Sequence, residues 1–337
     1  MHPDQALFSG EAVLPTIPVC EHFAGSRKLI EKALAIQAEL GPVFDITADC
    51  EDGAATGREM DHVSMVANMV LNEANKYGML GIRIHDPSHS FWRKDVDTIL
   101  ERASEKIAYI TIPKATSYAQ AMEVSDFIRE KTLAHRSSRR IPLHILIETH
   151  GALRDVERIA AIDNLQVLDF GLMDFVSAHQ GAIRASQMRS PGQFDHPLIA
   201  RAKANITAAA LGNGVIPAHN VCLSLKDPDL VRADAKRARD EFGFLRMWSI
   251  HPAQIAPILD AMRPAFHEVL DAVAILALAQ EAEWGPIQYK NELHDRATYR
   301  YFWSLLKRAK STGMALPQAA EDRFFRSNSF APRSSAP

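Results

Sequence analysis

The chain has 337 residues, of which 47% are hydrophobic and 23% are charged, so it can bury a full core and is not an intrinsically disordered protein. Its net charge of −3 argues against a nucleic-acid-binding protein, because such proteins usually carry a basic domain or stripe. Three scattered cysteines argue against a disulfide framework and against a structural zinc site.

Apolar runs that predict strands alternate with longer amphipathic stretches that predict helices. The predicted strands lie at 13–19, 43–49, 79–84, 107–112, 142–147, 165–170, 215–218 and 245–250. The predicted helices lie at 26–40, 61–77, 91–103, 118–133, 152–160, 197–211 and 228–242, with a polar loop at 178–195. Strands without strict alternation, separated by helices, are typical of a parallel sheet covered on both faces. Eight such units predict an α/β fold of the closed (β/α)8 barrel type.

The remaining sequence predicts a division into three parts. We expect residues 1–263 to form the barrel catalytic domain and residues 264–326 a helical segment that acts as a lid or in oligomerisation. Residues 327–337 are rich in Ser, Pro and Ala, which predicts a disordered tail. The N-terminus lacks a secretory signal and no run is long enough to span a bilayer, so we expect a cytoplasmic protein with no membrane partner.

Ionisable residues follow nearly every predicted strand. In chain order they are Asp49, Glu51 and Asp52, then Arg83 and His85, then Lys114, Glu148, Asp174, His219 and His251. In an α/β barrel the active site lies at the carboxyl ends of the strands, so these groups are expected to converge on one rim.

Glu148 and Asp174 follow neighbouring strands and are the candidate metal ligands. Two carboxylates at short range repel one another, and a divalent cation between them removes that conflict. An oxygen-only shell with few protein ligands suits Mg²⁺, for which Mn²⁺ could substitute. The alternative is structural: Glu148 forms a salt bridge with Arg83 or Lys114, and Asp174 caps a helix.

The other charged groups have two interpretations each. One interpretation is that the metal ligands and metal-bound waters are oriented by a surrounding layer of acids, Asp49, Glu51 and Asp52. The other is that these acids cap the following segment. Arg83 either binds a substrate carboxylate or an enolate oxygen, or pairs with a nearby acid, and both roles can hold together. Lys114 among so many carboxylates should stay charged, which favours an electrostatic role over a Schiff base.

Six short motifs, in order, resemble those of the citrate lyase β-subunit-like family within the HpcH/HpaI aldolase group, which includes malyl-CoA and citramalyl-CoA lyases. Individually they are weak, and together they are specific. They are Asp49-Cys50-Glu51-Asp52-Gly53-Ala54, Arg83-Ile84-His85, Ile112-Pro113-Lys114, Ile147-Glu148-Thr149-His150-Gly151, Phe170-Gly171-Leu172-Met173-Asp174 and Ile250-His251-Pro252-Ala253-Gln254.

The resemblance implies a Mg²⁺-dependent (β/α)8 enzyme that breaks or forms a carbon–carbon bond next to a thioester or a 2-oxo acid. It implies that Glu148 and Asp174 hold the metal and that Arg83 binds the substrate, with Lys114 and Glu51 as further substrate-binding candidates and Asp52 as a further catalytic candidate. Asp295 falls where the family's lid aspartate acts on a neighbouring subunit. A homotrimer or hexamer is typical of the family.

Two departures from the family pattern leave alternatives open. The usual opening strand with its F-V-P-G end is absent, and His85 replaces an asparagine, so a free short hydroxy or oxo acid competes with its CoA thioester as substrate. The alternatives to a lyase are a metal-dependent acyl-CoA thioesterase or synthase, and a non-catalytic barrel subunit that binds a metabolite. A phosphoenolpyruvate-type barrel would need a phosphate cradle, and the sequence shows no clear one.

Overall fold

Eight parallel strands close into a barrel in which each strand pairs with the next and β8 pairs with β1. The computed structural model describes residues 1–8, 14–54 and 56–325, and it confirms the predicted (β/α)8 fold. The strands are β1 Cys20–Ala24, β2 Asp45–Asp49, β3 Leu80–Arg83, β4 Ile110–Ile112, β5 Leu143–Ile147, β6 Leu165–Phe170, β7 Ile216–His219 and β8 Arg246–Ser249.

Helices alternate with the strands within residues 17–262, and further helices precede and follow that part of the chain. They are α1 Pro3–Leu7, α2 Arg27–Leu40, α3 Glu59–Leu71, α4 Trp92–Ala103, α5 Tyr118–Ala134, α6 His150–Arg154, α7 Val156–Ala160, α8 Leu172–Ser177, α9 Gly192–Asp195, α10 Pro197–Gly212, α11 Pro228–Phe242, α12 Ile255–Met262, α13 Phe266–Glu281, α14 Arg296–Ser311 and α15 Gln318–Ala320. The predicted loop at 178–195 contains α9 and a short 3-10 turn, Ala185–Met188. Within the described ranges, every helix is too short or too polar to cross a bilayer.

The sequence signals for helix ends act as expected in α2. The Ser26 side chain accepts a hydrogen bond from the backbone N–H of Leu29, which satisfies one of the free donors at the helix start. Gly41 ends the helix with a φ of 88°, a backbone conformation that glycine adopts without the steric cost of a Cβ. These two residues set the length of the connection between β1 and β2.

The first strand lies elsewhere than predicted. The expected strand at 13–19 is wrong, because β1 is Cys20–Ala24; residue 13 lies outside the described part of the chain. Pro18 cannot donate to a sheet ladder, whereas Glu21 and His22 are polar residues that a search for apolar runs passes over. Both are nevertheless buried in the barrel, where polar partners satisfy them.

The described residues divide into two compact units, Ile17–Met262 and a second that joins the residues before Ile17 to those after Met262. The first residues, which we predicted as part of the barrel domain, therefore pack with the C-terminal helices. Trp303 of α14 donates a hydrogen bond to Asp4 at 2.6 Å, which ties the short N-terminal helix into that unit. The predicted disordered tail, 327–337, lies outside the described residues.

The second unit also contains a hairpin, within the segment 264–326 that the sequence predicted to be helical. Its strands, β9 Ile287–Tyr289 and β10 Glu292–His294, pair antiparallel. Lys290 and Asn291 form the turn, and both have positive φ, as a two-residue hairpin turn with the right twist requires. The strands have three residues each and are mostly exposed, so they carry no apolar run for a sequence reading to detect.

All three cysteines are free and buried in the barrel unit. Burial raises the pKa of Cys20 and of Cys222 to about 12, and it raises that of Cys50 well above its ordinary value. A thiol with such a pKa carries almost no thiolate near neutral pH, and the thiolate is the reactive form. The cysteines therefore act as packing residues.

Candidate active site

A pocket of about 420 Å³ opens where β4, β5 and β6 end. Three of the predicted site residues, Lys114, Glu148 and Asp174, line it together. The other lining residues, which the sequence analysis did not single out, are Asp86, Ser88, Thr116, Gln120, Thr149, Ser177 and Ala178. Most of these are small polar residues in loops, for which a sequence offers no periodic signal.

Glu148 directly follows β5 and is almost wholly buried, with 2% of its surface exposed. Its Oε1 accepts a hydrogen bond from the backbone N–H of Lys114 at 2.7 Å. Gly171 lies against the other side of the carboxylate, where a Cβ would come within 2.0 Å of Oε2. Burial, together with the nearby charge of Asp174, raises the pKa of Glu148 to about 8. Its ionised form therefore needs a cation.

Asp174 lies in the first turn of α8, which begins directly after β6 and Gly171. Its side chain is 40% exposed, and its Oδ1 lies 3.6 Å from Lys114 Nζ. Glu148 and Asp174 thus face one pocket, each with carboxylate oxygens that a hard cation prefers. Five carboxylates surround two cations here: Asp49, Glu51, Asp52, Glu148 and Asp174 against Arg83 and Lys114. This excess of negative charge suits Mg²⁺ with water or substrate oxygens in its other positions.

The loop after β2 is shaped around the Asp49 carboxylate. The backbone N–H groups of Glu51 and Gly53 donate to its two oxygens at 3.0 and 2.8 Å. A Cβ on Gly53 would come within 2.3 Å of Oδ2, so the close approach requires glycine. Arg83 donates to both oxygens at 2.7 and 2.5 Å. Burial alone would raise the pKa of Asp49, but the Arg83 charge outweighs it and the pKa is lowered.

Glu51 and Asp52 bind the two cations of the site. Glu51 Oε2 lies 3.2 Å from Arg83 Nη1, and Lys114 Nζ donates to Glu51 Oε1 at 2.5 Å and to Asp52 Oδ2 at 2.7 Å. Burial raises the pKa of Glu51, whereas the side chain of Asp52 is 57% exposed. The Arg83 guanidinium is thus held by two acids, which is the ion-pair arrangement that we considered beside a substrate-binding role.

Lys114 has an unusual backbone as well as an unusual set of partners. Its φ of 47° lies in the left-handed region, which points its N–H at Glu148. Burial acts to lower the pKa of its amine, but Asp52 and Glu51 outweigh that effect and raise the pKa above its ordinary range. The amine therefore stays charged and is not available as a nucleophile.

The remaining candidates lie outside this group. His85 pairs through Nδ1 with the buried Asp95 at 2.6 Å, and His251 caps the turn that precedes α12. Asp295 belongs to the other compact unit, where its side chain accepts hydrogen bonds from the backbone N–H groups of Ala297 and Thr298 at the start of α14. Its side chain is exposed.

A second cluster of metal-ligating side chains was missed. Among the described residues, Glu21, His144 and Asp169 form a group of three whose ligand atoms lie within 4.8 Å of one another, and all three are buried. The available signal was a charged or imidazole side chain inside an otherwise apolar strand, as in Leu143–Ile147 and Leu165–Phe170. Such a residue must have a polar partner inside the barrel.

Comparison with known proteins gives a consistent result. Residues 32–252 match the sequence profile of the HpcH/HpaI aldolase/citrate lyase family. An L-malyl-CoA/β-methylmalyl-CoA lyase of Rhodobacter capsulatus is 29% identical over 306 residues, which cover 86% of this chain and 94% of that protein. A lyase of the same name from Cereibacter sphaeroides is 29% identical over 311 residues, with the same coverage.

Solved structures show the same architecture. A citrate lyase from Burkholderia xenovorans LB400 is 50% identical, with a TM-score of 0.83 over 96% of this chain and 100% of that chain. The CitE protein of Mycobacterium tuberculosis, solved with magnesium, acetoacetate and coenzyme A, has a TM-score of 0.66 at 21% identity, covering 87% of this chain and 98% of that chain. The second likeness is one of fold.

Proposed function

Because the chain belongs to the HpcH/HpaI aldolase/citrate lyase family and is a carbon–carbon lyase, we propose that it cleaves or forms a bond in the CoA thioester of a short hydroxy acid, with Mg²⁺ as cofactor. One observation carries the proposal: a buried carboxylate, Glu148, shares a pocket with Asp174. The malyl-CoA lyase relatives favour the thioester over the free acid.

Glu148 and Asp174 would hold the metal. They fit it because both present oxygen ligands to the same space, and because burial and the nearby charge of Asp174 raise the pKa of Glu148. A bound Mg²⁺ would polarise a substrate oxygen and hold the substrate in place. The Lys114 backbone N–H holds Glu148 Oε1, and Gly171 leaves room for Oε2, so the position of this carboxylate is fixed before any ligand binds.

The cations of the site would act on the substrate's charge. Arg83 and Lys114 bring two permanent positive charges to the rim, where they would stabilise negative charge that develops as the carbon–carbon bond breaks. Asp49 holds the Arg83 fork in one orientation, and Glu51 and Asp52 hold Lys114. Glu51 and Asp52 therefore help to fix the positions of Arg83 and Lys114. Those two cations in turn determine where a carboxylate or thioester oxygen of the substrate binds.

Cleavage also needs a proton to leave the substrate hydroxyl and a proton to reach the released carbon. We assign that transfer to Asp295, in a segment, 264–326, that would serve as a lid and act on a neighbouring subunit of a trimer or hexamer. The Asp295 carboxylate is exposed, so substrate could reach it.

The Asp295→Asn variant tests that role without removing the helix cap. Asparagine caps helices as well as aspartate does, so we expect the melting temperature of Asp295→Asn to stay close to that of the unmodified protein. Turnover should fall about 10²–10⁴-fold, the usual contribution of a positioned acid or base. Turnover of Asp295→Asn within a few-fold of normal would remove Asp295 from the mechanism. A large loss in Asp295→Ala but not in Asp295→Asn would show that Asp295 has only a structural role.

The function itself is tested with malyl-CoA and its methylated analogue. With Mg²⁺ we expect the thioester to disappear with equal release of an acyl-CoA and glyoxylate, and EDTA should abolish this release. Release of free CoA would indicate a thioesterase or synthase in place of a lyase. Tight binding of the thioester without bond cleavage, across acyl-CoA and free-acid substrates, would indicate a non-catalytic binding protein.

A further inference from the structure

The inside of the barrel contains a network of ionisable side chains that the proposed reaction does not use. Glu21 of β1, His144 of β5 and Asp169 of β6 are each 0% exposed, and their ligand atoms lie within 4.8 Å of one another. His144 and Asp169 lie on the strands that precede Glu148 and Asp174, but they face the closed interior of the barrel.

His144 turns its Nδ1 toward the cluster. Its Nε2 lies 3.2 Å from the side-chain oxygen of Gln166, within hydrogen-bond distance. That Nδ1 lies 3.6 Å from Glu21 Oε2, which is too far for a hydrogen bond, and it has no hydrogen-bond partner among the described residues. The Tyr109 ring stacks on the imidazole at 3.8 Å. An imidazole held through one ring nitrogen by an amide oxygen, with its other nitrogen turned inward, has the arrangement of a metal ligand.

Asp169 presents a second unpartnered atom. Its Oδ1 accepts a hydrogen bond from the indole N–H of Trp248 at 2.6 Å. Its Oδ2 is buried and has no hydrogen-bond partner in the described part of the chain. Two orphaned buried atoms of this kind are costly, and here they lie in the same small space.

Glu21 supplies the third ligand position. Its Oε1 accepts from the Thr47 hydroxyl at 2.6 Å, and its Oε2 accepts from Arg246 at 3.1 and 2.8 Å. A carboxylate offers about four lone-pair sites, so one remains beside His144 Nδ1. A cation bound between Glu21 Oε2 and His144 Nδ1, which lie 3.6 Å apart, would contact both atoms.

The acids around the cluster outnumber the guanidinium group beside them. Glu21, Asp45 and Asp169 are buried acids, and the fully buried Arg246 is the cation that pairs with the first two, at 2.8 and 2.7 Å. A cation bound at Asp169 would give this third acid the counter-charge that Arg246 gives the other two.

We propose that Glu21, His144 and Asp169 bind a structural divalent transition-metal ion of the zinc type inside the barrel, separate from the magnesium site at the rim. One imidazole nitrogen and two carboxylate oxygens are ligands that suit zinc, whereas the all-oxygen rim site suits magnesium. The ion enters as the barrel forms, because the folded site is closed.

Anomalous diffraction at the zinc absorption edge tests the proposal directly. Crystals of the unmodified protein, purified without chelator from zinc-supplemented medium, should show a peak between His144 Nδ1 and Asp169 Oδ2. No peak there, or density that fits only water, overturns the proposal whether or not any variant folds. The result does not depend on activity, so it stands apart from the test of the lyase function.

Metal analysis of variants supplies the second test. After native dialysis against EDTA, the unmodified protein and Glu148→Gln should each retain about one zinc per chain, because the interior site is closed to chelator. Asp169→Asn keeps an oxygen for Trp248 but lacks the charge, and it should retain less than about 0.1 zinc per chain. Zinc retained by Asp169→Asn, or lost from Glu148→Gln instead, places the ion elsewhere and overturns the proposal.

Discussion

Glu148→Gln is expected to lower the Mg²⁺-dependent turnover at least about 10³-fold, because metal catalysis contributes several kcal/mol of charge stabilisation. Glutamine has the same shape and can still accept the hydrogen bond from the Lys114 backbone, but it carries no charge for the cation. The measurement is kcat/KM with the thioester, together with Mg²⁺ affinity by calorimetry. Magnesium affinity should fall in parallel with turnover.

Stability separates this effect from misfolding. The Glu148 carboxylate is buried beside Asp174, so its charged form is costly in the metal-free protein, and the neutral amide avoids that cost. The melting temperature of Glu148→Gln without magnesium should therefore equal or exceed that of the unmodified protein. Glu39→Gln, at an exposed position of α2, is the matched control and should leave turnover and metal affinity unchanged. Turnover of Glu148→Gln within about tenfold of normal would contradict the assignment of the metal ligand.

Gly171→Ala is expected to lower turnover about 10²-fold, although it removes no functional group. The added methyl would stand 2.0 Å from Glu148 Oε2, and real Cβ atoms do not approach so closely. The carboxylate must therefore move, and a displacement of about 1 Å at a catalytic group costs about 10²-fold in rate. Magnesium affinity should weaken as well, because Glu148 is the displaced ligand.

Gly212→Ala provides the control for this substitution. Gly212 ends α10, and a Cβ there would meet no atom within 4 Å. Its φ is not positive, so we expect normal turnover and a gain in stability of about 0.5–1 kcal/mol from the better helix former. A Gly171→Ala variant with normal turnover and magnesium affinity would show that the position of Glu148 tolerates movement, and would weaken its assignment as a ligand.

Much of the barrel follows from short stretches of sequence. The strand from Leu165 to Phe170 and the helix from Pro228 to Phe242 lie where their apolar runs and end signals predicted. Strand and helix formation depend on neighbours in the sequence, so the local pattern suffices. The convergence of the charged residues on one rim follows from the predicted series of strands, because parallel strands bring their carboxyl ends to one side. Lys114, Glu148 and Asp174 line one pocket for this reason.

The pairing of the charged side chains did not follow from the local sequence pattern. Arg83 could have bound Glu148, Glu51 or Asp52, and only the folded chain shows it paired with Asp49 and Glu51. Glu21 pairs with Arg246, 225 residues away, because closing the barrel places β1 beside β8. The strand that carries Glu21 was misplaced because its polar residues are satisfied by side chains of the neighbouring strands β2 and β8.

The amino-acid sequence by itself determined the eightfold repeat, the type of fold and the rim on which the acids and bases collect, since each depends on local periodicity. The tertiary structure decided which acid meets which base, which carboxylate is buried beside another and which residues join Glu21 in the interior. Those outcomes depend on distances between residues far apart in the chain, which closure of the barrel sets.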